Sequence, residues 1–285
     1  MPLDTLKLPG VLGPDLGKEL LLALDLAKAA GHEVVKFRTS GKLGIEMKPG
    51  DEPVTAADRA ASEIIVQGIR GVFPNDAVIS EEMEVDPDAM SAPRCWLVDP
   101  IDGTKDFIRG GDGFAVMIGL VRDGKPVLGV VHQPTIERTF FVSPGTGAFV
   151  AHAGSVTSLS VSIVGSATEA RLVASASHRT PDIDRVKTEL GIVDELNVGS
   201  VGIKLCLIAA GQRDLYVNPA ARTKAWDTCA PEAILLASGG RLSDLFGDPI
   251  DYRGELAHRR GLVASNRWIH DEVIAKVGPL FAHYR

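Results

Sequence analysis

The feature that most constrains this chain is an apolar β-type run that ends in a rigid acidic turn. Trp96-Leu97-Val98 leads directly into Asp99-Pro100-Ile101-Asp102-Gly103-Thr104. Because open α/β sheets bind ligands where their strands end, both carboxylates should emerge at a binding edge. Pro100 fixes one backbone angle and Gly103 permits an unusual one, so the turn can aim both side chains at one point.

This turn offers two kinds of chemistry and also has an ordinary explanation. Fixed carboxylate oxygens suit a hard divalent cation. If a helical turn begins at Gly103-Thr104-Lys105, its unpaired amides would form an anion pocket beside that cation. Taken alone, however, the turn is equally compatible with aspartates that only cap backbone amides.

Composition excludes several classes of function. The 285 residues carry a formal charge of −7, which disfavours a broad surface for a nucleic-acid polymer. Three distant cysteines match no zinc spacing and are interpreted as buried thiols in a reducing compartment. Met1–Gly17 lacks the pattern of a secretory signal, and the apolar stretch Leu20–Ala30 is too short to span a membrane. We therefore predict a cytoplasmic protein without membrane insertion.

Periodicity and turn signals predict a layered α/β fold. A first helix, Asp15–Ala30, should end at Gly31, and a second, Ala56–Val72, should follow Thr55 as its N-cap. Asp123-Gly124 indicates a β-hairpin. The remaining predicted helices are Pro181–Leu190, Val201–Ala210, Trp226–Ala237 and Arg267–Phe281; the predicted strands are Trp96–Val98, Phe114–Arg122, Val127–His132, Thr139–Val142, Leu172–Ala174, Leu215–Val217 and Gly261–Ala264.

The chain should form one compact catalytic unit of two halves. The segment Gly145–Gly165 is rich in Gly, Ser and Thr and gives the loosest junction. We place a soft boundary there, between an N-terminal α+β half, residues 1–150, and a C-terminal α/β half, residues 151–285.

Four segments in order resemble the inositol monophosphatase superfamily. Trp96–Phe107 is similar to its W-[IV]-[IV]-D-P-[IL]-D-G-T-x-x-F signature, and Thr55–Asp58 to its T-x-x-D element. Ser80–Glu82 resembles its G-E-E element, with Ser in place of Gly, and Ala225–Ala230 resembles W-D-x-x-[AG]. The resemblance implies an αβαβα sandwich with a largely antiparallel N-terminal sheet and a smaller C-terminal sheet.

The same resemblance implies a Mg²⁺-dependent phosphomonoesterase with two or three ions. It makes metal ligands of Glu81, Asp99, Asp102, Asp227 and the Ile101 carbonyl. A metal-bound water would attack phosphorus in line. Thr104 and Asp58 would take its proton, while Glu81 helps to orient it. Lithium inhibition is also expected, and the chain could be a monomer or a homodimer.

Three shorter matches resemble one branch, the CysQ-type 3'(2'),5'-bisphosphate nucleotidases. Gly199–Cys206 is similar to G-S-x-x-x-K-x-C, Ser177-His178 to its S-H pair, and Thr104–Phe107 to its T-K-E-F. The implied substrate is a small phosphorylated metabolite, 3'-phosphoadenosine 5'-phosphate or the related 3'-phosphoadenosine 5'-phosphosulfate. The predicted substrate-binding residues are Asp102, Gly103, Thr104, His178, Ser200, Lys204 and Asp227.

Several alternatives stay open at the level of sequence. Inositol 1-phosphate, histidinol phosphate or fructose 1,6-bisphosphate could be the substrate, or the chain could be a regulatory module that binds a phosphate ligand without catalysis. Lys204 could be a surface charge on an amphipathic helix, and His178 an ordinary loop residue. The polar segment Gly41–Glu52 could be a flexible flap, whereas Arg109–Gly113 is interpreted as a tight loop.

Overall fold

A computed structural model describes residues 15–50, 52–86, 88–220 and 222–284. The prediction about a secretory signal concerns Met1–Gly17, most of which lies outside these residues. Among the described helices, none is long and apolar enough to cross a bilayer.

The first helix, α1, is longer than predicted. It spans Gly17–Ser40 and ends at Gly41, which has a φ of 68°. The predicted end at Gly31 is wrong because this glycine serves close packing: a Cβ there would lie 2.8 Å from His132 Cδ2 and 2.9 Å from Pro134 Cβ. Gly31 therefore lets α1 approach the sheet, a tertiary contact that local sequence does not reveal.

The second helix, α2, spans Ala56–Val72 as predicted. Thr55 caps it through a capping box in which the Thr55 hydroxyl accepts from the Asp58 amide and Asp58 accepts from the Thr55 amide. Before it, two short strands, β1 (Glu46–Lys48) and β2 (Glu52–Val54), pair antiparallel within the segment Gly41–Glu52 and just beyond it.

A large sheet of seven strands in the described residues forms the first β-layer, in the order β3 to β9. Only β3 and β4 run parallel, so the prediction of a largely antiparallel sheet is confirmed. Asp123 and Gly124 have φ values of 53° and 77° and form the predicted hairpin turn. The strands are β3 (Ala77–Ser80), β4 (Arg94–Asp102), β5 (Ala115–Arg122), β6 (Lys125–Gln133), β7 (Arg138–Ser143), β8 (Gly147–His152) and β9 (Ser155–Ser158).

The segment Gly145–Gly165, predicted to be the loosest junction, contains strands β8 and β9. The first sheet therefore continues to Ser158, and the predicted division between residues 150 and 151 falls inside β8. The division of the chain into two halves stays a proposal.

A smaller mixed sheet follows, with the order β11-β10-β12-β14-β13 in the described residues. Its strands are β10 (Leu172–Ser175), β11 (Glu195–Val198), β12 (Leu215–Asn218), β13 (Arg241–Ser243) and β14 (Leu262–Ser265). The helices around it are α4 (Pro181–Leu190), α5 (Val201–Ala209), α6 (Ala225–Ala237) and α7 (His270–Val277). A short helix, α3 (Thr104–Ile108), follows β4, and 3₁₀ turns cover Ala89–Ser91, Ala167–Glu169 and Gly278–Tyr284.

Successive side chains of a strand point to opposite faces of its sheet, so each sheet can pack against helices on both faces. On β5, Val116, Ile118 and Leu120 pack in one cluster with α1 and α2, whereas Ala115 and Met117 pack in another with α5 and α6. The opposite face of the small sheet packs against α4 and α7. The order helices, sheet, helices, sheet, helices confirms the expected αβαβα sandwich.

The last helix is shorter than the predicted Arg267–Phe281. Arg267 has a φ of 70°, which excludes it from a right-handed helix, and α7 begins only at His270. Pro279 has no amide proton to continue the α-helix, and a 3₁₀ turn follows from Gly278 to Tyr284.

Candidate active site

Four carboxylates from three elements line one cleft of about 740 Å³. Asp99 and Asp102 lie at the C-terminal end of strand β4. The pairing of this strand with β5 shifts register between these two residues. Glu81 follows β3, and Asp227 lies in the first turn of α6. Each predicted metal ligand, including Ile101, contributes to the wall of this cleft.

The β4 carboxylates are oriented by main-chain and hydroxyl donors. Asp99 Oδ1 accepts from the Ile101 amide at 3.0 Å. Asp102 Oδ2 accepts from Ser200 Oγ at 2.5 Å and from the Gly202 amide at 2.7 Å. In both residues, the second carboxylate oxygen takes no part in these bonds. Asp102 therefore links the end of β4 to the start of α5.

Asp227 repeats this arrangement in the first turn of α6. Its Oδ2 accepts from the Lys224 amide at 2.8 Å, which closes the N-terminal turn of α6. The amide of Ala225 donates to the Leu256 carbonyl at 2.7 Å, so the start of the helix is fixed to the loop that follows β13. The orientation of Asp227 is thus set by the main chain.

The carboxylates repel one another strongly. Burial, and then the charges of Glu81 and Asp102, raise the pKa of Asp99 well above its usual value. Burial, and then the charges of Asp102 and Glu81, also raise the pKa of Asp227 well above its usual value. Burial also raises the pKa of Asp102, although Lys204 opposes the effect. A bound cation would relieve this repulsion.

The donor set fits a hard cation such as Mg²⁺. All of the predicted ligands are oxygens, and Mg²⁺ usually keeps several waters beside one or two carboxylates. In the described ranges, no group of three or more Asp, Glu, His or Cys side chains is arranged closely enough to hold a metal ion. Water or substrate oxygens would have to complete the coordination shell, and the ligand roles stay predictions.

Lys48 contacts one of the predicted metal ligands, and Arg38 holds the loop that follows α3. Lys48 Nζ lies 3.1 Å from Glu81 Oε1 and 2.5 Å from Glu82 Oε1, so the hairpin β1–β2 is tied to a predicted ligand. Sequence reasoning missed Lys48, whose polar segment gave no signal of a specific contact. The loop Arg109–Gly113 is held by Arg38, which donates to the carbonyls of Gly110 and Gly111.

Asp58 and Thr104 form the predicted pair, with Thr104 Oγ1 3.2 Å from Asp58 Oδ1. Thr104 Oγ1 is also 3.0 Å from the Ile101 carbonyl, so its single proton can serve only one acceptor at a time. Asp58 Oδ2 accepts from the amide and the hydroxyl of Thr55. Burial raises the pKa of Asp58 to about 6, so this carboxyl group is still mostly ionised at neutral pH and can accept a proton.

Gly103 is required by close packing. Its φ is 97°, and a Cβ there would lie 2.8 Å from the Gly113 carbonyl and 3.2 Å from the Ser200 amide. The helical turn predicted after it is present as α3. Gly103 therefore allows the segments around β4 and α5 to meet beside the cleft.

Ser200 and Lys204, which are predicted to bind substrate, form hydrogen bonds to other groups of the protein. Ser200 caps α5 by accepting from the Ile203 amide, in addition to its bond to Asp102. Lys204 is 1% exposed, and its ammonium donates to the carbonyls of Val198 at 3.1 Å and Gly199 at 2.8 Å. Burial lowers the pKa of Lys204 to about 8. One ammonium proton is left over from these two bonds, and Lys204 lines the cleft.

Lys105, His178 and Arg222 line the same cleft as the carboxylates, and we call these three residues the basic wall. His178 Nε2 lies 2.8 Å from Lys105 Nζ, and Arg222 lines the same cleft with an exposed side chain. Burial, and then the neighbouring charge of Lys105, lower the pKa of His178, so a neutral imidazole can accept from the ammonium. Lys105 lies in the segment that resembles T-K-E-F, but the resemblance gave it no predicted role. Arg222 lies in none of the matched motifs.

Buried hydroxyl groups also line this wall. In residues 88–220 and 222–284, the side-chain oxygens of Ser177, Thr180 and Thr223 are buried without a hydrogen-bond partner. All three residues border the cleft. Buried polar groups normally have partners, so this wall is suited to a polar ligand or to ordered water.

Carboxylates and basic side chains that line one cleft are what a metal-assisted hydrolase of phosphoric monoesters requires. The family model described as "Inositol monophosphatase family" matches residues 17–279. The chain therefore belongs to the inositol monophosphatase family, and it is an enzyme of the phosphoric monoester hydrolase class.

Named relatives differ in substrate. The 3'(2'),5'-bisphosphate nucleotidase CysQ of Salmonella typhimurium is 37% identical over 232 residues, which cover 80% of this chain and 91% of that protein. Histidinol-phosphatase of Mycobacterium tuberculosis is 34% identical over 264 residues, which cover 91% and 97%. Among solved structures, an IMPase from Thermotoga maritima has a TM-score of 0.80 and 27% identity over 94% of this chain and all of its own.

Proposed function

We propose that this enzyme is a Mg²⁺-dependent 3'(2'),5'-bisphosphate nucleotidase. It would remove the 3'-phosphate of 3'-phosphoadenosine 5'-phosphate, or of its 5'-phosphosulfate relative, to leave the 5'-phosphorylated nucleotide and inorganic phosphate. The basic wall formed by Lys105, His178 and Arg222 carries this proposal, because a second phosphate distant from the metal needs cationic or hydrogen-bonding partners. The identity with the CysQ of Salmonella typhimurium agrees with it.

The metal would be held by Glu81, Asp99, Asp102, Asp227 and the carbonyl of Ile101. Bound Mg²⁺ supplies an activated water for attack on phosphorus and stabilises the leaving oxygen. The protein contributes the orientation of its carboxylates, since Asp99, Asp102 and Asp227 each have one oxygen occupied by a donor from the protein. Ligands fixed in this way lose little freedom on binding.

Thr104 and Asp58 would accept the proton of the attacking water. The Asp58 oxygen near Thr104 is the one that Thr55 leaves unused, so the carboxyl group points toward the cleft. Glu81 would orient the same water, and Lys48 would hold Glu81 in place. Gly103, Thr104, Asp102 and Asp227, which all line the cleft, would surround the phosphate that is removed.

The second phosphate would bind to Lys105, His178 and Arg222, with Lys204 behind them. A phosphate that accepts from Lys105 also attracts a proton to His178, so the two side chains could donate together. Ser200 would act chiefly through Asp102, given its hydrogen bond to that residue.

Histidinol phosphatase is the second candidate function. The relative from Mycobacterium tuberculosis is slightly less identical than the CysQ protein but covers more of this chain, 91% against 80%. Histidinol phosphate has no second phosphate, so the two proposals differ in what the basic wall must bind.

A substrate panel separates the proposals. Release of inorganic phosphate would be measured with 3'-phosphoadenosine 5'-phosphate, histidinol phosphate, inositol 1-phosphate and fructose 1,6-bisphosphate, at varied Mg²⁺ and with added Li⁺. We expect the highest kcat/KM for the bisphosphorylated nucleotide. A higher kcat/KM for histidinol phosphate would instead establish the second candidate.

Charge removal in the basic wall adds a matched test. Arg222→Ala and Lys204→Ala should lower kcat/KM for 3'-phosphoadenosine 5'-phosphate about tenfold or more, since hydrogen bonds to charged groups contribute about 1.5–3 kcal/mol. Turnover of inositol 1-phosphate should change little in Arg222→Ala. In Lys204→Ala it should fall less than turnover of the nucleotide, because Lys204 also favours the ionised form of Asp102. Lys125→Ala, at an exposed position outside the cleft, is the control. Equal losses on both substrates would remove these residues from substrate selection.

A further inference from the structure

The cleft extends beyond the basic wall to an aromatic and aliphatic end. Ile183 from the first turn of α4 and Tyr284 from the last 3₁₀ turn both line it, together with Asp182. With a volume of about 740 Å³, the cleft lies within the range of sites that enclose drug-sized ligands. A single phosphate and a small polyol would leave this end unfilled.

The Tyr284 ring is supported from behind. Its centroid lies 4.3 Å from that of His283 and 6.5 Å from that of Phe281. Tyr284 also packs at the edge of the buried cluster that includes Ile183, which is 4% exposed. The ring is therefore held in position while it remains partly exposed along the cleft.

A polar acceptor lies beside these apolar groups. Asp182 is the second residue of α4, and its Oδ1 accepts from Arg185 at 3.0 Å. A carboxylate has further lone pairs, so Asp182 can also accept from an amino group on a flat ring. A partly exposed aromatic ring with one nearby acceptor suits an aminated heterocycle better than it suits a polyhydroxylated ring.

We infer that Tyr284 and Ile183 form the binding site for the nucleobase of a phosphorylated nucleoside, with Tyr284 as the specificity-determining residue. The inference rests on the proposed nucleotidase function and goes beyond it, because it names the element that selects a base. Stacking of a base on an aromatic ring contributes about 1–3 kcal/mol when measured by alanine substitution. The bound base would also place its ribose phosphates between the basic wall and the carboxylates.

Steady-state kinetics of Tyr284→Ala and Tyr284→Phe test the inference. Tyr284→Ala should raise KM for 3'-phosphoadenosine 5'-phosphate roughly 5- to 150-fold, which is the stacking energy converted at 1.4 kcal/mol per tenfold. Tyr284→Phe keeps the ring and should stay within about twofold of the wild type. Trp268→Ala removes an aromatic side chain that is 57% exposed and lies outside the cleft, so it serves as the matched control.

Two further measurements separate recognition from loss of structure. Turnover of inositol 1-phosphate, which has no flat aromatic face, should be the same in Tyr284→Ala and wild type, and so should the urea midpoint. Calorimetric binding of adenosine 5'-monophosphate should weaken in parallel with the rise in KM.

The outcomes distinguish the inference from the function on which it rests. If the wild type hydrolyses 3'-phosphoadenosine 5'-phosphate and Tyr284→Ala does so with unchanged KM, the base site is elsewhere while the proposed function stands. A matching loss on inositol 1-phosphate would show a structural role and would also overturn the inference. If the wild type does not turn over the nucleotide, the proposed function fails first.

Discussion

Replacing Glu232 by Gln should stabilise the protein above neutral pH and change its stability little near pH 5. Glu232 lies on α6 behind the cleft and is 5% exposed. Its Oε2 lies 2.5 Å from Tyr252 Oη. Burial raises the pKa of Glu232 to about 8, so this carboxyl group is mostly protonated at neutral pH.

Burial favours the protonated acid, whereas donation from Tyr252 would lower the pKa of Glu232, and the surrounding hydrogen bonds can also accommodate the acid form. Tyr252 Oη is also 2.9 Å from Thr228 Oγ1, which in turn lies 2.8 Å from His258 Nε2. A phenol has one proton, so it cannot donate to both Glu232 and Thr228. A protonated Glu232 donates to Tyr252, which can then donate to Thr228. Burial lowers the pKa of His258 to about 4, which keeps the imidazole neutral and able to accept from Thr228.

The size and sign of the effect follow from proton linkage. The usual pKa of Glu, 4.5, applies to the unfolded chain, whereas the folded value is about 8. Between these values the folded protein holds a proton that the unfolded chain has released, so the free energy of unfolding falls as pH rises. The slope is about 1.36 kcal/mol per pH unit, which gives a total of roughly 5 kcal/mol. This loss is complete above pH 8 and absent below pH 4.5.

Urea unfolding at pH 5, 7 and 9 measures the difference between Glu232→Gln and the wild type. Other titrating groups cancel in this difference, which should grow by about 4 kcal/mol in favour of Gln from pH 5 to pH 9. Glu63→Gln changes an exposed carboxylate on α2 and should show no such trend. A difference for Glu232→Gln that stays constant with pH would refute a buried neutral acid.

Three further predictions concern the cleft and its support. Asp99→Asn should lower kcat by at least about a hundredfold with an unchanged circular dichroism spectrum, because it removes a charge from the proposed metal site; near-normal Mg²⁺-dependent turnover would contradict the assignment. Ser200→Ala should raise the Mg²⁺ concentration needed for half-maximal activity, since Asp102 loses a donor, and a rise in substrate KM alone would indicate direct substrate binding instead. Gly31→Ala should destabilise the fold by about 1–3 kcal/mol in urea unfolding, whereas Gly17→Ala, with open space around it, should not.

Local chemistry made some elements predictable. Helix α2 has both a capping box and an amphipathic pattern, and its bounds agree with the prediction. The Asp-Gly turn between β5 and β6 has the positive φ angles that its residue types favour. In these segments the signal lies within a few residues of the element it specifies.

Other elements depend on partners that are distant in the chain. Strands β11 and β13 are short and were not predicted, because their pairing with β10 and β14 supplies the stabilisation. Gly31 resembles a helix end but is a contact with β6. Lys48, Lys105 and Arg222 enter the site from a hairpin, a helix and a loop that only the fold brings together.

The turn Asp99–Thr104 can be interpreted either as a metal site or as a set of aspartates that cap backbone amides, and these two interpretations are compatible. Asp99, Asp102 and Asp227 each use one oxygen to accept from a backbone amide, as capping residues do. The same bond fixes the direction of the other oxygen, so the capping role prepares each carboxylate for a ligand. Asn caps about as well as Asp but carries no charge. It should therefore preserve the turn and relieve repulsion among the buried carboxylates, so a single Asp99→Asn change can abolish metal binding without loss of stability.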